Sequence, residues 1–216
     1  MRPISVTVGP LASASSNAIA LSQTPTAGAL TLNGALVSGG VVVMDTPRQV
    51  LITTTGNESA NTFTITGTDW AGSPISETVT GPNASTAASV LSYKTVTRIT
   101  IASNAAAALT VGTNGVASSP WIRLDSWAAP VTALQCSVSG TVNYTVQGSL
   151  DDPNSPTNPV APASMTWVSD PDAGLVSQAQ SAQGYYPYTP TWVRVVLNSG
   201  TGSVTLTASQ SGSVTY

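Results

Sequence analysis

Histidine is absent from this 216-residue chain, and cysteine occurs once, at Cys136. The first absence removes the commonest general base, the Ser-His-Asp and Cys-His nucleophile systems and the commonest metal ligand together. The second excludes an intrachain disulfide framework and any multi-cysteine metal site, so stability must come from packing within the chain or against its neighbours. Charge is also scarce: Asp, Glu, Lys and Arg make up 7% of the residues, against roughly 25% in ordinary globular proteins. Solvation therefore falls to Thr, Ser, Asn and Gln. The basic residues Arg2, Arg48, Lys94, Arg98, Arg123 and Arg194 are scattered and the net charge is −3. Nucleic acid calls for a clustered basic face, so it is not an expected partner. No apolar run reaches the roughly 18 residues of a membrane span, and MRPISVTVGPLASASSNAIALS lacks the apolar core of a signal peptide. A membrane is not an expected partner either, and synthesis and folding in a cytoplasm are expected.

What the chain does have is strand pattern. Between Pro47 and Gly115, short apolar and Thr-rich runs are separated by Gly, Pro and Asn, as in an antiparallel β domain. Strands are expected at Gln49–Thr54, Thr62–Thr68, Ile75–Thr80, Ser89–Ile101 and Leu109–Gly112. In Thr62–Thr68, Phe63 and Ile65 share one face and Thr62, Thr64 and Thr66 the other, the signature of a half-buried strand. GTDWAGSPISETVTGP reads as a hairpin with a longer loop, placing Trp70 at its tip as a candidate contact residue. Upstream, Ile4–Val8, Ala18–Leu21, Leu30–Leu36 and Val41–Met44 read as further strands, and residues 1–27 as an N-terminal arm or first strands.

After Thr113–Pro120 the aromatics become denser. The expected organisation is thus 1–27, a β domain over 28–118 and a β-sandwich domain over 119–216: an all-β protein of two antiparallel β-sandwich or jelly-roll-like domains. Strands of the last part are expected at Trp121–Trp127, Val131–Val138, Thr141–Ser149, Ser164–Val168, Thr191–Leu197 and Ser203–Ala208. Ser139-Gly140 and Ser199-Gly200-Thr201-Gly202 read as tight turns.

Few residues are candidates for chemistry. Cys136, in phase with Leu134 and Val138, reads as a small buried core residue, since no base or cation stands near it in sequence to activate the thiol. Asp151-Asp152-Pro153-Asn154 and Asp170-Pro171-Asp172-Ala173-Gly174 bring carboxylates close together, which suits either a cation site or a turn in which Asp bonds its own backbone. Neither has EF-hand spacing, and the turn is the preferred reading. A carboxylate-pair glycosidase has no pair that can be nominated. Gly184-Tyr185-Tyr186-Pro187-Tyr188 places three Tyr in an expected loop, suited to covering a core end, to a protein interface or to glycan stacking. Asn57-Glu58-Ser59 and Asn83-Ala84-Ser85 fit a glycosylation pattern that matters only in a secreted eukaryotic protein. No catalytic, cofactor-binding or metal-binding residue is assigned, and no cofactor is expected.

Two sets of stretches resemble segments of small structural proteins of tailed bacteriophages. One is FTITGTDWAGSPISETVTGPNAS with YKTVTRITI; the other is WIRLDSW with SGTVNYTVQGSLDDPNSP and WVRVVLNSGTGSVTLTASQSG. The resemblance implies a virion component with β-sandwich modules: a capsid decoration (cement) protein or head fibre, assembled in the host cytoplasm and displayed on the particle surface. It would contact the major capsid protein or other virion proteins as a homo-oligomer, a trimer rather than a dimer. The alternative is a tail, neck or fibre accessory protein that binds a host receptor or glycan. Neither brings catalytic residues.

Overall fold

The computed structural model describes residues 3–125 and 131–210. Along them run β1 (Ile4–Val8), β2 (Ser15–Gln23), β3 (Gly28–Ala29), β4 (Val37–Ser38), β5 (Val41–Thr54), β6 (Thr62–Thr68), β7 (Pro74–Thr80), β8 (Thr86–Ala88) and β9 (Tyr93–Ile101). There follow β10 (Leu109–Ser118), β11 (Ile122–Arg123), β12 (Thr132–Ser139), β13 (Val142–Ser149), β14 (Val168–Ser169), β15 (Ala182–Tyr186), β16 (Trp192–Gly200) and β17 (Ser203–Gln210). The only helical turns among the described residues are two 3-10 turns, at Pro162–Ser164 and Ala173–Leu175. The protein is all-β, built from large antiparallel sheets, as the period-2 pattern predicts.

The chain divides into two compact units, Ala12–Gly115 and a unit that joins Met1–Leu11 to Val116–Tyr216. This differs from the expected cut after residue 27. Residues 4–8 do not form a free arm: β1 pairs along β17, Ile4 opposite Ala208 and Val8 opposite Val204. Within the other unit β2 pairs with the first half of β10, Ala20 opposite Val111.

In the Ala12–Gly115 unit, β9 lies between β5 and β6, and β7 closes the edge beside β6. The expected alternation of Thr62–Thr68 is realised, with Phe63 and Ile65 fully buried. On the other face Thr64 meets Thr78, and Thr66 meets Ser76, hydroxyl to hydroxyl at 3.4 Å. Two expectations change. Val41–Met44 and Gln49–Thr54 are one strand, β5, carried through Pro47 by a register shift between Val43 and Arg48; an irregularity is where a strand tolerates Pro. Leu30–Leu36 is not a strand: Asn33 accepts from the Leu21 amide through its side chain, and the Asn33 and Gly34 amides both donate to the Ile19 carbonyl. Those local bonds replace a ladder.

The second unit is a sandwich. One sheet has the order β1-β17-β12-β15; the other runs β14-β13-β16, with β11 and the end of β10 along β16. Their inner faces supply one core, including Leu134 and Cys136 of β12, Tyr144 and Val146 of β13, Val193 and Val195 of β16 and Leu206 of β17. Burying such an aliphatic side chain contributes about 1.5–3 kcal/mol. The two expected tight turns prove to be corners where the chain crosses from one sheet to the other, since β12 does not pair with β13, nor β16 with β17. The corners lie on each other, with the Thr201 and Gly202 amides donating to the Thr141 carbonyl. A Cβ on Gly202 would stand 2.2 Å from the Ser139 carbonyl oxygen, so only glycine permits that approach.

Other expectations for this unit are corrected. Residues 182–186 form an edge strand, β15, with Tyr185 56% exposed and Tyr186 buried at 1%; the expected loop begins only at Pro187. Of the expected strand Ser164–Val168 only Val168 lies in a strand, β14, because the 3-10 turn at Pro162–Ser164 and a bond from the Thr166 amide to Asp151 hold the preceding residues otherwise. Of the expected strand Trp121–Trp127, Ile122–Arg123 is extended, and its Trp127 end lies outside the described residues.

Candidate functional site

The carboxylates give the first clue to what the polar groups do. Asp151 accepts from the Thr166 amide at 2.6 Å and Asp152 from the Asn154 amide at 2.9 Å. Asp170 accepts from the Asp172 amide, and Asp172 from the Gly174 amide, the short-range turns that Asp beside Pro or Gly favours. In the other unit Asp45 accepts from Ala12, Glu58 from Ala106 and Ala107, Asp69 from Ala71 and Ser73, and Glu77 from Val90 and Leu91, all through backbone amides. Eight of the nine acidic side chains therefore tie down backbone. Among the described residues no group of three or more Cys, Asp or Glu side chains is placed to hold a metal ion. The Asp151/Asp152 and Asp170/Asp172 loops thus do not pool ligands.

Strand β13 ends at a cleft of about 250 Å³, lined by Gly148, Leu150, Thr166, Val168, Tyr188 and Pro190. Its walls carry apolar groups that the fold leaves outside: Leu150 is 71% exposed, Val168 59% and Tyr188 43%. Asp151 shapes one wall through its bond to Thr166. Beneath Gly148 lies the Tyr186 hydroxyl, 2.8 Å from where a Cβ on that glycine would stand. Asp170 is beside it, 4% exposed. The Tyr186 hydroxyl and the Asp170 carboxylate interact with each other in this buried place.

Burial dominates Asp170. It pushes the carboxyl from its ordinary 3.8 up to about 6, against the pull of the Asp172 amide and the Tyr186 hydroxyl and with help from the Asp172 charge. Because the folded state holds this proton more tightly than the unfolded chain, Asp170 costs stability once ionised. The cost grows as pH rises from about 4 to about 6 and stays constant above. Asp170→Asn is therefore expected to stabilise the protein by about 1–2 kcal/mol above pH 6, an amount reduced because the neighbouring cleft is open to solvent. Urea midpoints measured from pH 4 to pH 8 check this: the wild-type and variant curves should diverge through that window, and parallel curves would refute it.

Comparison with protein families, with curated proteins and with solved structures finds no match to this chain.

The remaining candidates take structural places. Cys136 is fully buried and its thiol is pushed up to about 12 by burial, beside Tyr144; it is a core residue. Trp70 is half-buried in the loop between β6 and β7, whose backbone Asp69 holds. Asn57 accepts from the Ser59 amide and hydroxyl through its side-chain oxygen and bridges to Asn83, so both glycosylation-like motifs meet in one pair of turns. Sequence reasoning missed an aromatic cluster: Trp121 lies 5.0 Å from Trp167 and 6.1 Å from Trp192, centroid to centroid. Arg194 stacks over Trp167 at 4.0 Å and donates twice to Gln147 Oε1. Burial pulls its guanidinium down to about 9, which leaves it protonated at neutral pH. The signal was present as Gln147 and Arg194 on the outward-facing positions of two strands, but their pairing is long-range.

Proposed function

We propose that this protein is a non-enzymatic structural component of a phage particle, a capsid decoration (cement) protein that bridges major capsid subunits on the assembled head. The observation that carries this reading is the use of the acidic side chains: eight of nine hold backbone amides in loops. Without histidine, acid-base work would fall first to carboxylates, and these are engaged with backbone. The sheet faces support it as well. On β1 and β17, Ser5 meets Thr207 and Thr7 meets Thr205 at 2.8 Å, an uncharged, hydroxyl-lined surface. Packing such a surface on another subunit buries no unpaired ion.

A cement protein binds the assembled shell and not its free subunits, and so stabilises the shell by mass action. It acts as a symmetric homo-oligomer, a trimer, seated where capsid subunits meet. The exposed Tyr185 and Tyr188 favour a second reading, a tail or fibre protein that contacts a receptor. Copies per purified particle, counted by quantitative gel against the major capsid protein, decide between them. A decoration protein is expected at a comparable copy number, and a handful of copies per particle would overturn the cement reading.

A further inference from the structure

Two arginines stand on the cluster of Trp121, Trp167 and Trp192, and the fold treats them in opposite ways. Arg123, its side chain 57% exposed, pairs with Asp152 at 2.9 Å, and Asp152 also accepts from the Trp192 indole at 3.4 Å. Arg194 is the more enclosed of the two, stacked 4.0 Å over Trp167, and has no carboxylate. All nine acidic residues lie among the described residues, where the ion pairs are Arg48–Asp45 and Arg123–Asp152. A monomer would give its one counter-ion to the enclosed cation, because water shields the exposed one and a desolvated charge is costly unpaired. Arg194 instead has a neutral acceptor: Gln147 Oε1 takes hydrogens from both Nε and Nη2, at 3.0 and 2.8 Å. Its Nη1 has no acceptor among the described residues and is not sealed from solvent, so the outer end of the guanidinium stays open. Burial alone acts on its pKa, with no acid to offset it.

We propose that Arg194, backed by Trp167 and Trp121, is a socket for an aspartate or glutamate side chain of a partner protein. The carboxylate takes the open end of the guanidinium, and the two half-buried tryptophans form the apolar surround that excludes water and strengthens the pair. Arginine and tryptophan are the residue types in which binding energy concentrates at protein interfaces. Charge complementarity selects this occupant over others. A nucleic acid needs several clustered cations, and here it would find one unpaired cation with Asp152 on the same aromatic cluster. A second copy of the chain is a poor donor, since eight of its nine acids hold backbone amides in their own loops and Asp125 has a partner too. The carboxylate therefore comes from a different protein.

This inference deepens the virion reading by naming the group a partner presents. It is tested on the isolated full chain, so a low copy number would overturn the cement reading without touching it. The peptide acetyl-Gly-Glu-Gly-amide, its Gln counterpart, sodium acetate and sodium phosphate are each titrated into isotope-labelled protein at constant ionic strength, with the Arg194 Nε–H and Trp167 indole N–H followed by NMR. The Glu peptide is expected to shift both signals saturably and to bind about tenfold tighter than the Gln peptide, the worth of one charge-assisted pair. Arg194→Lys is expected to lose about tenfold, because an ammonium offers no fork. Gln147→Glu supplies the missing carboxylate from within, so it is expected to raise the urea midpoint and to abolish peptide binding; it keeps the test decisive should Arg194→Lys not fold. The proposal is overturned if the Gln peptide binds as well as the Glu peptide, or if acetate or phosphate binds as tightly, which would mark an adventitious ion only. It is equally overturned if Gln147→Glu keeps wild-type binding, or if Arg194→Gln dissociates an oligomer of this chain, which would give the socket to a second copy.

Discussion

Glu58→Ala is expected to destabilise the Ala12–Gly115 unit by about 3–5 kcal/mol, the largest effect of any single acidic side chain. Glu58 is fully buried. One oxygen accepts from the Ala106 and Ala107 amides at 2.7 and 3.1 Å, the other from the Asn61 side-chain amide at 2.6 Å. Its own backbone donates to the Pro82 carbonyl and accepts from the Asn61 amide. One carboxylate thus joins the loops around residues 56–61, 81–85 and 102–108. Removing it strands three donors, each costing about 1–3 kcal/mol when buried unpaired, with sums that fall short of additive because loops relax. Glu58→Gln tests the geometry. Its amide must turn an N–H toward one set of donors, and Asn61 cannot flip to compensate because its oxygen already accepts from the Ser103 amide. About half the loss is expected. Denaturant unfolding measures both variants, and hydrogen exchange should show the change first in those three loops. A loss under about 1 kcal/mol for Glu58→Ala would refute the account.

Arg48→Met is expected to cost about 3 kcal/mol. Arg48 is 1% exposed, donates to the carbonyls of Ala12 and Asn114 at 2.8 and 2.6 Å, and stands 3.6 Å from Asp45. Asp45 in turn accepts from the Ala12 amide, so one ion pair clamps both ends of the unit's chain, residue 12 and residue 114. Methionine fills the volume but makes neither of the bonds to the Ala12 and Asn114 carbonyls. Breaking a buried pair costs about 3–5 kcal/mol; the lower end applies because the Asp45 side chain, 35% exposed, can hydrate. Arg48→Lys should recover only part, since one ammonium cannot fork to two diverging carbonyls. Hydrogen-exchange protection should fall first in β2 and the first half of β10, and unchanged protection there would contradict the clamp.

How much of this was legible in the sequence depends on the range of the interaction. The alternation of Phe63 and Ile65 against Thr62, Thr64 and Thr66 is local, and it placed β6 and its two faces. The same holds for Val142, Tyr144 and Val146 on β13 and for the Asp-rich turns, whose bonds reach only two residues along the chain. Tyr185 and Tyr186 alternate too, but Gly184 and Pro187 flank them, and a short edge strand between such residues reads as a loop. Ser139-Gly140 was recognisable as a turn, yet whether a turn keeps to one sheet or crosses to the next is set by which strands it joins. The cleft was beyond reach, because it needs Gly148, Val168, Tyr188 and Pro190 brought together, with Tyr186 and Asp170 beneath them. None of these residues is unusual alone.

The pairing of β1 with β17 sets an order of events during synthesis. Residues 12–115 emerge early and close on themselves. Strand Ile4–Val8 leaves the ribosome before them, yet its hydrogen-bonding partner spans residues 204–208. At about 5–20 residues per second, the first strand waits some 10–40 s with its edge unpaired. Its Ser5 and Thr7 hydroxyls, alternating with Ile4 and Val6, make that waiting edge a poor seed for sticking to other nascent chains. Strand Ile4–Val8 thus stays open until a strand about 200 residues later in the chain reaches it.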